Sequence, residues 1–269
     1  MDPRSLDSGR RRNWFAVRVE GRPIRAGPRA LGTGHALAAD RVEAYTICVG
    51  FPLLPLFPLP LVLFPGTPLP LHIFEPRYRR MLADCLRGDR RFGILFQPDD
   101  AETDLPAPGT VGCVAHVDTC ADRPDGRSDI LVSGVARFEL QRLVSGDEPY
   151  LVGAVTMYDD LAEPSIPLET LARQVRDLFA RVGRAAGVIA DDRATPPELP
   201  RDAALLSFAI ASLVDLDAPA RQALLASRSP MDRLRSVKTL LASAVDTIES
   251  HAHVHRRAKR NGHGPHPVA

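Results

Sequence analysis

The sequence predicts an α+β fold: a small mixed sheet or barrel with one packed helix, followed by a helical bundle. Three observations carry that reading. From residue 51 to 158 the apolar residues fall in short runs with strand alternation, separated by Pro and Gly. Inside that region one stretch, Tyr78, Met81, Leu82, Cys85 and Leu86, has the spacing of a buried helical stripe. Past Pro164 the spacing lengthens to that of helices and stays so to Ile248.

The chain is organised around Leu56-Phe57-Pro58-Leu59-Pro60-Leu61-Val62-Leu63-Phe64-Pro65-Gly66. Its prolines remove ladder donors, so the run reads as an edge or bulged strand. Phe64-Pro65-Gly66 turns the chain into a second strand, Leu69 to Phe74. Glu75-Pro76 opens the helix, with a carboxylate at the positive end of the dipole and Pro at the first helical position. Gly88 ends it. Strands follow at Arg91–Gln97, Thr110–Thr119, Ile130–Leu143 (bulged near Gly134) and Tyr150–Tyr158, with a Pro-Asp-Gly turn at Arg123 to Gly126. Helices are expected from Pro167, from Pro200 to Val214, from Pro219 to Ala226, and from Pro230 behind a Ser229 cap. The segments are therefore residues 1–50, a basic extension; 51–162, β-rich; 163–250, helical; and 251–269, a disordered His/Arg-rich tail. Residues 1–50 leave two readings open: a disordered extension, or sequence ahead of the real translation start.

The ordered set Leu56-Phe57-Pro58-Leu59, Val62-Leu63-Phe64-Pro65-Gly66, Pro70-Leu71 and His72-Ile73-Phe74-Glu75-Pro76-Arg77-Tyr78 resembles the start of the Lon substrate-binding domain, the N-terminal domain of Lon proteases. The last heptad is most similar to stand-alone members and to the Lon-like domains of cereblon and certain RING-finger proteins. Agreement continues through Phe92-Gly93-Ile94-Leu95, Val111-Gly112-Cys113-Val114-Ala115 and Val132-Ser133-Gly134-Val135-Ala136-Arg137-Phe138, over residues 53 to 248. The resemblance implies a pseudo-barrel of six strands plus a helix, a trailing helical bundle, and engagement of unfolded proteins or peptides. The cereblon ligand pocket belongs to a separate zinc-bearing domain with Cys-x-x-Cys pairs; this sequence has no such pair, so that property is not carried over.

Composition excludes several classes. Residues 1–50 hold nine Arg against five acids, and residues 251–269 hold four basic residues and no acid. Residues 51–250 then carry 21 basic and 28 acidic residues, a net charge of −7, which argues against a nucleic-acid face on the body. There is no uncharged apolar run of about 18 residues, so no membrane span is expected. No secretory signal is visible, and Cys48, Cys85, Cys113 and Cys120 are too few for a disulfide framework, which points to the cytoplasm.

Catalytic motifs are equally scarce. The two lysines, Lys238 and Lys259, follow neither a glycine of a phosphate loop nor a plausible serine partner. No Gly-x-Ser-x-Gly elbow occurs. Cys113, His116 and Cys120 invite a metal reading, but strand alternation places Cys113 opposite His116 and Cys120; His251, His253 and His255 lie in the polar tail. No catalytic residue, metal or cofactor is assigned. The candidate peptide-binding or structural junction is Phe57, Phe64, His72, Phe74, Glu75, Arg77 and Tyr78. In its structural reading Glu75 caps the helix and pairs with an arginine, while Tyr78 and His72 pack with their polar tips satisfied. The leading expectation is a non-enzymatic recognition module, acting as an adaptor or chaperone-like factor or handing clients to a separate protease. The alternatives are a hydrolase using Glu75 or Asp118 and a small-ligand sensor.

Overall fold

The computed structural model describes residues 51–99, 105–190 and 197–261. Six strands come first, with one helix among them: β1 (Leu53–Leu59), β2 (Pro68–Ile73), α1 (Pro76–Arg87), β3 (Arg91–Phe96), β4 (Val111–Asp122), β5 (Ser128–Val144) and β6 (Leu151–Met157). Four helices follow: α2 (Ser165–Ala190), α3 (Ala203–Leu213), α4 (Ala218–Ala226) and α5 (Pro230–Asn261). The sheet order is β2-β5-β4-β3-β1-β6, and β5 also pairs with β6. That extra pairing closes five strands into a ring and leaves β2 attached to β5 alone. The 17-residue β5 makes this possible: residues 128–133 pair with β2 on one side, residues 128–139 with β4 on the other, and residues 138–144 with β6.

β1 is an interior strand, not the edge its prolines suggested. It pairs in parallel with β3 over Leu56–Leu59 and antiparallel with β6 over Leu53–Leu56. The Leu59 carbonyl accepts from Gln97, so odd residues turn their backbone groups toward β3; the Pro52 carbonyl accepts from Val155, so even residues turn toward β6. Pro58 therefore faces the β6 side after that pairing has ended, and Pro55 faces the β3 side before that pairing begins. The offset of the two neighbours lets a central strand carry two prolines without a missing bond.

α1 also differs in detail. Glu75 is its N-cap residue, but through its backbone: its carbonyl accepts from Tyr78 and Arg79, and its side chain makes no cap bond. Its carboxylate binds Arg77 Nε at 2.9 Å instead. At the far end Gly88 is not left-handed (φ −101°). The positive φ falls on Arg90 (63°), whose backbone pairs with Val117 and whose side chain caps the Val117 carbonyl. α5 runs on to Asn261, past the expected end of order at 250, because no Gly or Pro interrupts the sequence before Gly262. The expectations for residues 1–50 and for the last residues of the tail, 262–269, lie outside the described residues.

Two fasteners join the β unit to the helices. Phe64 is 1 % exposed and belongs to the core of the helical bundle, stacked on Phe208 at 5.5 Å between centroids. Its turn is pinned to β5: Gly66 N–H donates to the Gly134 carbonyl, and Gly134 N–H donates to the Thr67 carbonyl. Gly66 takes φ 74°, and a Cβ on Gly134 would strike the Phe64 carbonyl. Beside it, Arg137 of β5 and Arg233 of α5 share the Asp160 carboxylate, with side chains 4 % and 0 % exposed. Arg233 also donates to the Ser207 hydroxyl and the Ser227 carbonyl, and Arg137 to the carbonyls of Leu225 and Ser227.

Gly134→Ala should cost roughly 1–3 kcal/mol by overpacking, read as a lower denaturant midpoint. Asp160→Ala, which strands two buried guanidinium groups, should cost about 3–5 kcal/mol. A wild-type midpoint for either variant would contradict the packing described.

Candidate functional site

The marked residues divide between interior and surface. Phe57, Phe64 and Tyr78 are buried; Phe57 lies 4.1 Å from the Tyr78 ring and 6.1 Å from Phe92, inside the barrel core under α1. Arg77 lies over the Tyr78 ring at 4.5 Å and holds Glu75, so these two form a half-buried rim. His72 and Phe74 are outside. The His72 ring stacks on Phe74 at 6.0 Å, and its Nδ1 meets Asp129 at 2.7 Å, the residue directly opposite on β5. The structure thus joins His72 to Phe74 and Glu75 to Arg77, and sets Phe64 apart in the helical core.

The surface continues across β2, β5 and β4. On this outer face Pro70 stands opposite Leu131 and Leu131 opposite Thr119. Phe74 and Leu131 are each 37 % exposed. Leu131 was missed because it sits in an unbroken apolar run, Ile130-Leu131-Val132; only its β partners reveal which parity faces out. Asp129 accepts from His72 and from Arg123 Nε at 2.7 Å, and these bonds, His72 first, hold its carboxyl below the usual range.

A bulge in β4 changes the expected face of one cysteine. The β4–β5 register shifts between Val117 and Thr119, so Cys120 pairs with buried Ile130 and packs against the barrel core with Cys113, while His116 stays outside. Alternation without a bulge had put Cys120 beside His116. The bulged residue Asp118 accepts from the Ser133 hydroxyl at 2.6 Å and meets His116 Nδ1 at 3.0 Å; the Ser133 bond, then His116, lowers its carboxyl. This is not a nucleophile relay, because the carboxylate sits between serine and histidine, where a general base would need the histidine in the middle. No group of three or more His, Cys, Asp or Glu that could hold a metal occurs among the described residues.

Residues 53–243 match the family model described as the ATP-dependent protease La (LON) substrate-binding domain. The chain belongs to this Lon substrate-binding family. It is 27 % identical over 223 residues to "Lon protease 2" of Herpetosiphon aurantiacus, covering 82 % of this chain and 27 % of that protein. It is 28 % identical over 213 residues to "Lon protease" of Azorhizobium caulinodans, covering 78 % of this chain and 24 % of that protein. The chain therefore spans about a quarter of the length of these curated relatives. Its fold is similar to the N-terminal domain of the Mycobacterium avium complex Lon protease, with a TM-score of 0.54, 19 % identity, and coverage of 71 % of this chain and 98 % of that one.

Within this Lon-family fold the sequence signatures acquire physical causes. Phe64-Pro65-Gly66 supplies the pin and its left-handed turn, and Ser133-Gly134 the notch that receives it. Arg137, six residues from Leu131, is drawn inward to the Asp160 clamp, where burial pulls its guanidinium below the ordinary value while Asp160 pushes the other way.

Burial pushes Cys85 and Cys113 up to about 12 from an ordinary value of 9.0. The folded chain thus keeps two protons that the unfolded chain releases. This contribution is complete below pH 9 and should shrink as pH rises from 9 toward 12, by about 1.4 kcal/mol per pH unit per thiol. Denaturant midpoints from pH 8 to 10.5 should show that slope in the wild type and a shallower one in Cys113→Ala. Equal slopes would refute the assignment.

Proposed function

We propose that this chain is a non-catalytic recognition module that holds unfolded or extended protein segments on the outer face of β2, β5 and β4. It acts in cytoplasmic protein quality control or proteolysis, as an adaptor or chaperone-like factor or by passing clients to a separate protease. The observation that carries the reading is the exposure of Phe74 and Leu131 around Pro70 and His72, in a fold whose family model is described as substrate-binding. Exposed apolar side chains grouped on one face mark interaction sites. Extended clients fit because the face is an open sheet surface with a rim, Glu75 and Arg77, at one end. Phe57 and Tyr78 support that rim from beneath.

Strand addition along β1 is not part of this reading, since β6 takes Leu53–Leu56 on one side and β3 takes Leu56–Leu59 on the other, which leaves no continuous free edge. Recognition by side chains takes its place. No helix among the described residues is long and apolar enough to cross a membrane.

The test is binding of the full chain to a fluorescent unfolded protein, beside a folded control and without nucleotide. Saturable binding to the unfolded chain only, competed by apolar peptides, is expected. Phe74→Ser and Leu131→Ser should each weaken it roughly tenfold, as truncated anchors do, with unchanged thermal melting. Absence of saturable binding at high concentration would overturn the proposal, and unaltered binding by both variants would overturn the face assigned to it.

A further inference from the structure

The free side of β2 identifies the kind of client, an inference that rests on the recognition reading above. The Thr67 carbonyl accepts from Gly134, so the odd residues of β2 turn their backbone groups toward β5, and Pro68, Pro70 and His72 turn theirs outward. Pro68 and Pro70 have no N–H. The outward edge therefore presents three carbonyl acceptors and one donor, that of His72, and no described strand pairs with it. An added strand would bring its own carbonyls against the Pro68 and Pro70 nitrogens, which have no hydrogen to give, so the prolines close the edge to strand addition.

The same edge suits a group that only donates. A guanidinium carries five N–H donors in a planar fork, has no acceptor, and stacks on aromatic faces. The surroundings match that chemistry. Phe74 offers a half-exposed ring at the end of the edge. Asp129 stands one strand away, 45 % exposed, with Arg123 and His72 already on its two oxygens. Asp118, two strands away, is oriented by Ser133 and His116, and among the described residues no Lys or Arg is hydrogen-bonded to it. The body from 51 to 250 carries the net charge of −7 noted above, which favours a cationic segment over an acidic one.

We infer that the site selects extended segments bearing arginine beside apolar residues. The apolar side chains rest on Phe74, Pro70 and Leu131, and the guanidinium groups lie along the Pro68, Pro70 and His72 carbonyls, attracted by Asp118 and Asp129. Lysine, a point donor without the fork, gains the charge attraction but bridges neighbouring carbonyls less well.

The experiment uses the full chain and four fluorescent peptides with one Leu-Phe core, flanked by Arg, Lys, Ser or Glu. The expected order of affinity is Arg, Lys, Ser, Glu, with Arg over Glu by about tenfold or more, the yield of a single charge-assisted bond. Pro70→Val, which returns an outward N–H, should reduce the preference for Arg over Lys. Asp118→Asn should reduce the preference for either cation over Ser. Equal affinity for the four peptides overturns the inference and leaves the recognition reading standing. Failure of every peptide and of unfolded protein overturns both. Arg and Lys bound equally, with the full cation preference kept in Asp118→Asn, also overturns it. Should Pro70→Val not fold, the Arg-to-Lys ratio and Asp118→Asn still decide the question.

Discussion

The junction between sheet and helices depends on one carboxylate. Asp160 holds Arg137 from the barrel and Arg233 from the last helix, both withdrawn from water, which leaves one surplus positive charge in the interior. A buried charge without compensation is costly. Compensation comes from partial charges. The carbonyls of Leu225 and Ser227, at the negative end of α4, accept from Arg137, and the Ser227 carbonyl also accepts from Arg233. Phe208 lies under Arg233 at 4.1 Å and under Arg137 at 5.4 Å, with Tyr158 5.2 Å from Arg137. The C-terminal end of α4, the start of α5 and the middle of β5 are thus set relative to one another by directional bonds. Apolar packing of Phe64 on Phe208 sits beside this clamp and gives it a dry surround.

Proline organises the other half of the molecule. Where β1 carries Pro55 and Pro58, the neighbours are offset so that each missing donor faces a side without a partner. Where β2 carries Pro68 and Pro70, the missing donors face outward and leave an edge of acceptors. The same residue type therefore permits ring closure in one strand and shapes the exposed edge in another. A free edge is ordinarily a liability for association. Here it is protected from other strands and remains open to side chains.

Much of the fold was legible from residues 51 to 261. Strand and helix periods, the turn at Gly126 (φ 78°), the Ser229 cap on Asp232 N–H and the irregularity near Gly134 are local chemistry, and the structure places each close to where the sequence implies. The candidate site was legible only in part. His72, Phe74, Glu75 and Arg77 were visible as a polar and aromatic cluster, but their division into a rim and an exposed pair was not, nor was the burial of Phe57 and Tyr78 beneath them.

By itself, the sequence determined the fold class, the order of elements and the family, because periodicity, caps and turn residues act over a few positions. The tertiary structure alone decided that β1 is interior and β2 is the edge, since strand neighbours are set by pairing between distant segments. It alone moved Cys120 to the core side, since one bulged residue inverts the alternation beyond it. It alone gathered Arg137, Asp160 and Arg233, because a buried charge cluster is a relation among residues far apart in the chain and leaves no period in the sequence.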